Sequence, residues 1–68
     1  MDRDEMEEVR AAFIAGEIGG AVVELIIAGM EISQDTIVDS LEAKRHSVGN
    51  AIYKEGLRDV AAMVRKGQ

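Results

Sequence analysis

Sixty-eight residues allow one small domain, and the absence of Cys removes disulfides and thiolate metal sites as ways to stabilise it. One Phe, one Tyr and no Trp leave little large apolar bulk for a core, while seven Gly and no Pro suit helices joined by short turns. The net charge of −5 hides a division: residues 1–43 hold eleven acidic and two basic groups, a net of −9, and residues 44–68 six basic and two acidic, a net of +4. Such asymmetry suits an anionic partner for the basic end, or two ends that complement each other across a dimer.

Helix one is expected to begin near Asp2 or Asp4, where acidic side chains favour the positive end of the helix dipole. The opening MDRDEMEEVR has no apolar run, so it does not read as a signal peptide, and a cytoplasmic protein is the default expectation. Ala11 to Met30, AAFIAGEIGGAVVELIIAGM, is apolar on nearly every side of a helix, interrupted by Glu17 and Glu24 alone. Those two carboxylates, each costing about 3 kcal/mol on insertion scales, weigh against a membrane span. Met6, Val9, Phe13, Gly16, Gly20, Val23, Ile27 and Met30 recur in alternating steps of three and four, while Arg3, Arg10, Glu17, Glu24 and Glu31 form one polar line. A repeat of seven kept over this length favours helices packed side by side. Glycine inside a helix costs about 1 kcal/mol relative to Ala, so Gly16, Gly19 and Gly20 need an offsetting close contact. A tight core within the chain satisfies that need. So does a dimer seam built on Phe13, Gly16, Gly20, Val23 and Ile27.

Gly29 suits the residue that ends helix one, with Met30 placed to meet Leu25 in a Schellman-type cap. Ser33 is the expected cap of helix two, with Ile32 and Ile37 at the positions of a hydrophobic staple. Ile37, Val38 and Leu41 share one side of this helix, which weakens around Lys44-Arg45-His46. Ser47 is the expected cap of helix three. Val48, Ile52, Val60 and Val64 then fall near one face, with Leu57 and Met63 beside it, and Gly56 marks a close approach or a mild bend. No strand alternation interrupts this order. The fold expected is an all-α, three-helix domain over residues 1–68, helix-turn-helix-turn-helix, completing its core as a homodimer.

Enzyme chemistry has little to stand on. One His and no Cys offer no nucleophile–base arrangement. Glu17 and Glu24 lie on one face, as carboxylates of helical two-metal sites do, but His46 follows Ala43 and not the Glu such sites need. An interhelical polar stripe is the simpler reading. Gly16-Glu17-Ile18-Gly19-Gly20 sits inside a helix and not after a strand, so it is no phosphate loop. Neither a cofactor, a metal nor a small-molecule substrate is expected.

Nucleic acid is the more serious candidate ligand. Lys54, Arg58 and Arg65 fall near one face of helix three, and Lys44 and Arg45 precede it, a group able to contact phosphates. SQDTIVDSLEAKRHSVGNAIYKEG is also similar to the helix-turn-helix of phage repressors through Gln34, Ile37, Leu41 and Val48. It departs from that pattern at Glu42, where a turn glycine belongs, and at β-branched Val38. Cations near a helix C-terminus also complement its dipole, which leaves a structural reading of the same residues open.

At Ile18-Gly19-x-Ala21-Val22-x-x-Leu25-Ile26-Ile27-Ala28-Gly29, then Ile32 and Ile37-Val38-x-Ser40-Leu41, the chain resembles the AriR/YmgB family of small enterobacterial regulators. The likeness continues through Ile52, Leu57-Arg58 and Met63-Val64, about residues 18 to 64. A looser likeness joins it to small proteins of the fumarase D type through Gly19, Val22, Leu25 and Gly29. The family resemblance implies an all-helical, non-enzymatic homodimer tied to biofilm control and acid resistance through phosphorelay proteins, with DNA as a further partner. It implies no catalytic residues. The acidic start and the basic turn at Lys44-Arg45 depart from the family.

Three functional expectations follow. The first is a cytoplasmic regulatory module that binds itself and a signalling protein. The second is a DNA-binding or nucleoid-associated regulator using Lys44, Arg45, Lys54 and Arg58. The third is an assembly or antitoxin-like subunit with no separate partner.

Overall fold

A computed structural model describes residues 3–67 as three helices: α1 (Arg3–Ala28), α2 (Gln34–Ser47) and α3 (Ala51–Lys66). Asp2, one expected start of α1, lies outside the described residues, as does the side chain of Arg3. The all-α, three-helix expectation holds.

Local chemistry sets the ends of these helices. Gly29 takes the left-handed conformation (φ 69°) that side-chain-bearing residues avoid. The Met30 amide donates to the Leu25 carbonyl at 2.9 Å and the Gly29 amide to Ile26 at 3.1 Å. That pair of bonds is the Schellman motif expected at this glycine. Ser33 caps α2 with its hydroxyl accepting from the Thr36 amide, and the Thr36 hydroxyl accepts in turn from the Ser33 amide at 2.8 Å. Reciprocal bonds of this kind fill two of the donors left open at a helix start.

Two expectations need correction beyond this point. Ser47 does not cap α3; it is the last residue of α2, and its hydroxyl donates to the Lys44 carbonyl at 2.9 Å. Asn50 is the cap, its side chain accepting from the Tyr53 amide at 2.9 Å. Both residues are good cap formers three positions apart, and α2 continues through the basic run because Lys44, Arg45 and His46 complement its C-terminal dipole. The phage-repressor register fails for the same reason: Glu42 lies well inside α2, and the turn falls at residues 48–50.

With α3 starting at Ala51, its inward face is Leu57, Val60 and Ala61 with Tyr53 and Val64 alongside. Ile52 is not on it; the side chain is 84% exposed. Leu41 and Val38 of α2 and Ala21 of α1 complete the core, and Leu25 is buried at its α1 end. α2 and α3 pack most extensively, while α1 lies mainly on α2. Gln34 ties the α2–α3 pair together, its amide nitrogen donating to the carbonyls of Val64 and Arg65 at 2.6 Å each. At Gly56 the Phe13 ring of α1 approaches so closely that an added Cβ would meet it at 3.0 Å, the close approach expected there.

Candidate functional site

Spacing along α1 produces two apolar faces on opposite sides of one helix. Ile14, Ile18, Ala21 and Leu25, in steps of four, three and four, turn inward and are buried or half-buried against α2 and α3. The other face carries Met6, Val9, Gly16, Gly20, Val23, Ile26 and Ile27 and continues past the helix end to Met30; all of them are exposed. An expectation of burial on every side is therefore met on one side within a single chain. Gly16, Gly20, Val23 and Ile27 of the expected seam stand together on the uncovered face, with Ile27 80% exposed. Phe13 does not join them. It is half-buried, packed on the core and edge-to-face with Tyr53 at 6.0 Å.

The three interior glycines face open space among the described residues: an added Cβ at Gly16, Gly19 or Gly20 meets no atom of a neighbouring element within 4 Å. Close packing inside this fold therefore does not account for them. They line the exposed face, flanked by Ala12 and Ala15.

Between the two faces runs the polar line, and here α1 is tied to its neighbours. Glu17 accepts from Lys44 of α2 at 2.8 Å and from the Tyr53 hydroxyl of α3 at 2.8 Å, so one residue from each helix meets at this point. The Lys44 ammonium also lies 5.4 Å from the centre of the Tyr53 ring, a cation–π distance. Burial pushes the Glu17 carboxyl up, but the Lys44 and Tyr53 hydrogen bonds and the lysine charge outweigh it and hold the group below its ordinary value. The same hydrogen bond to Glu17 raises Lys44. Further along, the Ser40 hydroxyl donates to Glu24 at 3.2 Å. The carboxylate stripe is thus interhelical. Tyr53 escaped the sequence reading because nothing local marks a tyrosine 36 residues away as the partner of a glutamate.

The four cations proposed to touch phosphates are mostly engaged with acids of the same chain. Lys44 pairs with Glu17 at 2.8 Å, Arg45 with Glu42 at 2.6 Å, and Arg58 with Glu55 at 3.7 Å and Asp59 at 3.8 Å. Arg65 also reaches Glu42 at 4.0 Å. Lys54 is half-buried on α3 and is in none of these pairs. Of these acids, Glu17 and Glu42 lie outside residues 44–68 and offset part of that segment's net of +4, in which Glu55 and Asp59 are already counted.

Among the described residues no group of three or more His, Cys, Asp or Glu could hold a metal ion. Shallow surface clefts include one of about 420 Å³ against Gln34, Asp35, Val38, Asp39 and Arg65 and one of about 130 Å³ between Phe13, Gly56, Val60 and Met63. By length and composition alone, Asp4–Ala28 is a helix able to cross a membrane. In comparisons with known proteins, the chain matches no family model, no curated protein and no solved structure.

Proposed function

We propose that this chain is a small non-enzymatic regulatory protein that acts by protein–protein contact. The uncovered apolar face of α1 carries this reading. Contiguous exposed apolar surface on a small domain marks an interaction site, and nothing among the described residues covers this one. In this account α1 pairs with a second copy, which buries the face from Val9 to Ile27. The charged surface left outside, acidic along the start of α1 and basic near Lys54 and Lys66, docks a signalling protein. Binding is stoichiometric and works by shifting the partner's conformational equilibrium.

The resemblance to the AriR/YmgB family supplies the pathway: a cytoplasmic phosphorelay controlling biofilm formation and acid resistance. DNA is the alternative partner, but the ion pairs of Lys44, Arg45 and Arg58 favour protein over phosphate. The reading is tested by titrating labelled protein with purified phosphotransfer and sensor-kinase domains, and separately with duplex DNA at two salt concentrations. Saturable binding to a phosphorelay domain that survives the higher salt supports it. Tight DNA binding that weakens steeply with salt overturns it in favour of a DNA regulator.

A further inference from the structure

We propose that the exposed face of α1 pairs with the same face of a second copy in antiparallel orientation, with Gly16 and Gly20 at the crossing. The inference rests on the docking role proposed for α1 and adds its occupant's orientation. Six large side chains on this face, Met6, Val9, Val23, Ile26, Ile27 and Met30, are each more than half exposed. A stable association buries on the order of 800 Å² per partner, about a sixth of the 4920 Å² that one chain exposes. From Met6 to Ile27 the face extends along about 32 Å of helix, which gives a second α1 the length to reach that size. α2 and α3 pack on the opposite side and leave it clear.

Charge selects the occupant and its direction. Helices that lie on membranes carry Lys and Arg along their polar side, whereas α1 exposes Asp4, Glu8 and Glu24, so anionic lipid repels it. In a parallel pair the acidic starts of both helices lie side by side and their dipoles align, and both effects are unfavourable. An antiparallel pair separates the two starts by most of the helix length. With Gly16 opposite Gly20 of the second copy, Val9 faces Ile27, and Arg10 comes beside Glu24 twice along one edge of the pair, once toward each end. Neither Arg10 nor Glu24 is in an ion pair among the described residues, and Glu24, which accepts one hydrogen bond from Ser40, keeps further acceptor sites on its carboxylate for Arg10. Flanking charges of this kind set orientation in paired helices. The glycines, open in the single chain, let the two backbones approach at the crossing.

Because the chain has no Cys, one introduced thiol is unique. Glu8→Cys lies on the same line of α1 as Ile26, at the rim of the face and away from the Gly16–Gly20 crossing, so a spin label there leaves the core and the crossing intact. The antiparallel pair places the two labels roughly 30 Å apart along the helices; a parallel pair places them roughly 10 Å apart. A separation near the larger figure, with Arg10→Glu weakening the dimer about tenfold and Glu24→Arg restoring it when combined with Arg10→Glu, is the expected result. A short separation overturns the orientation while leaving the docking role standing. Sedimentation as a monomer, with or without transfer onto phosphatidylcholine vesicles, overturns the pairing itself.

Discussion

α3 and α1 handle their apolar residues in opposite ways. On α3, Leu57, Val60 and Ala61 are almost completely buried on a single side, and the large apolar residue left outside is Ile52 at the first turn. On α1, Ala21 and Leu25 are buried, yet Val23, Ile26 and Ile27 between and beyond them stand in solvent. One helix is apolar where the chain can cover it; the other is apolar on both sides, and the chain covers one. Stability of the single chain is therefore concentrated in the α2–α3 pair and the inner side of α1, while the outer side of α1 contributes nothing until something covers it. Fold and assembly are written on the same helix, half a turn apart.

The strongest way to break this contrast is in the core. Leu57 is 0% exposed, and Leu57→Ala should cost about 2–5 kcal/mol through lost burial and a cavity. Set against the roughly 5–15 kcal/mol by which domains are stable, such a loss should be plain in urea unfolding followed by circular dichroism. A midpoint unchanged from the parent chain would show that the packing is not as described. Gly56 comes next, since the Phe13 ring of α1 closes on it from across the α1–α3 contact. A leucine there must displace the Phe13 ring, and overpacking of this kind costs about 1–3 kcal/mol. At Gly20 an added Cβ meets no atom of the described residues within 4 Å. Gly20→Leu should leave the monomer's unfolding midpoint unchanged or higher, because leucine is the better helix former by somewhat under 1 kcal/mol, while it disrupts a dimer whose backbones meet at that residue. Equal destabilisation at Gly20 and Gly56 by thermal unfolding at low concentration would erase the distinction between the two faces.

A smaller effect lies at the polar junction. The Glu17 carboxyl sits below its ordinary value of 4.5, so it contributes stability that is present above that value and is lost as pH falls through the lower folded one. Glu17→Gln should remove about 1 kcal/mol at neutral pH and flatten the acid limb of the stability curve below about pH 4.5. An unaltered acid limb would show that the Lys44 and Tyr53 contacts do not hold α1 in place. The smallest effect on the fold belongs to Ile27→Glu. With 80% of the residue already exposed, the change should move the unfolding midpoint of the monomer by no more than about 0.5 kcal/mol.

Much of the fold was legible because its signals are local. Gly29 with Met30 and Ser33 with its staple are read within five residues of chain, and the structure places both caps where the spacing puts them. The start of α3 was misplaced because Ser47 and Asn50 offer the same capping chemistry, and nothing nearby ranks them. That slip put Ile52 on the inner face and left Tyr53 off it. For the interior glycines the sequence leaves a tight core and a dimer seam open, and the described residues supply no core contact to them. The polar junction was legible only as a stripe, since its partners arrive from 27 and 36 residues away. In the basic group the Lys44 partner, Glu17, is equally distant, whereas Arg45 and Arg58 pair with acids one to three residues away on their own helices.

The most direct test of the contrast is sedimentation equilibrium of the parent chain and of Ile27→Glu over a range of concentrations. The account predicts that the parent moves from the 7.4 kDa chain to twice that mass as concentration rises. The variant should remain a folded monomer with unchanged helical content. A parent chain that stays monomeric at every concentration, or a variant that dimerises as well as the parent, would contradict the claim that the outer face of α1 is the assembly surface.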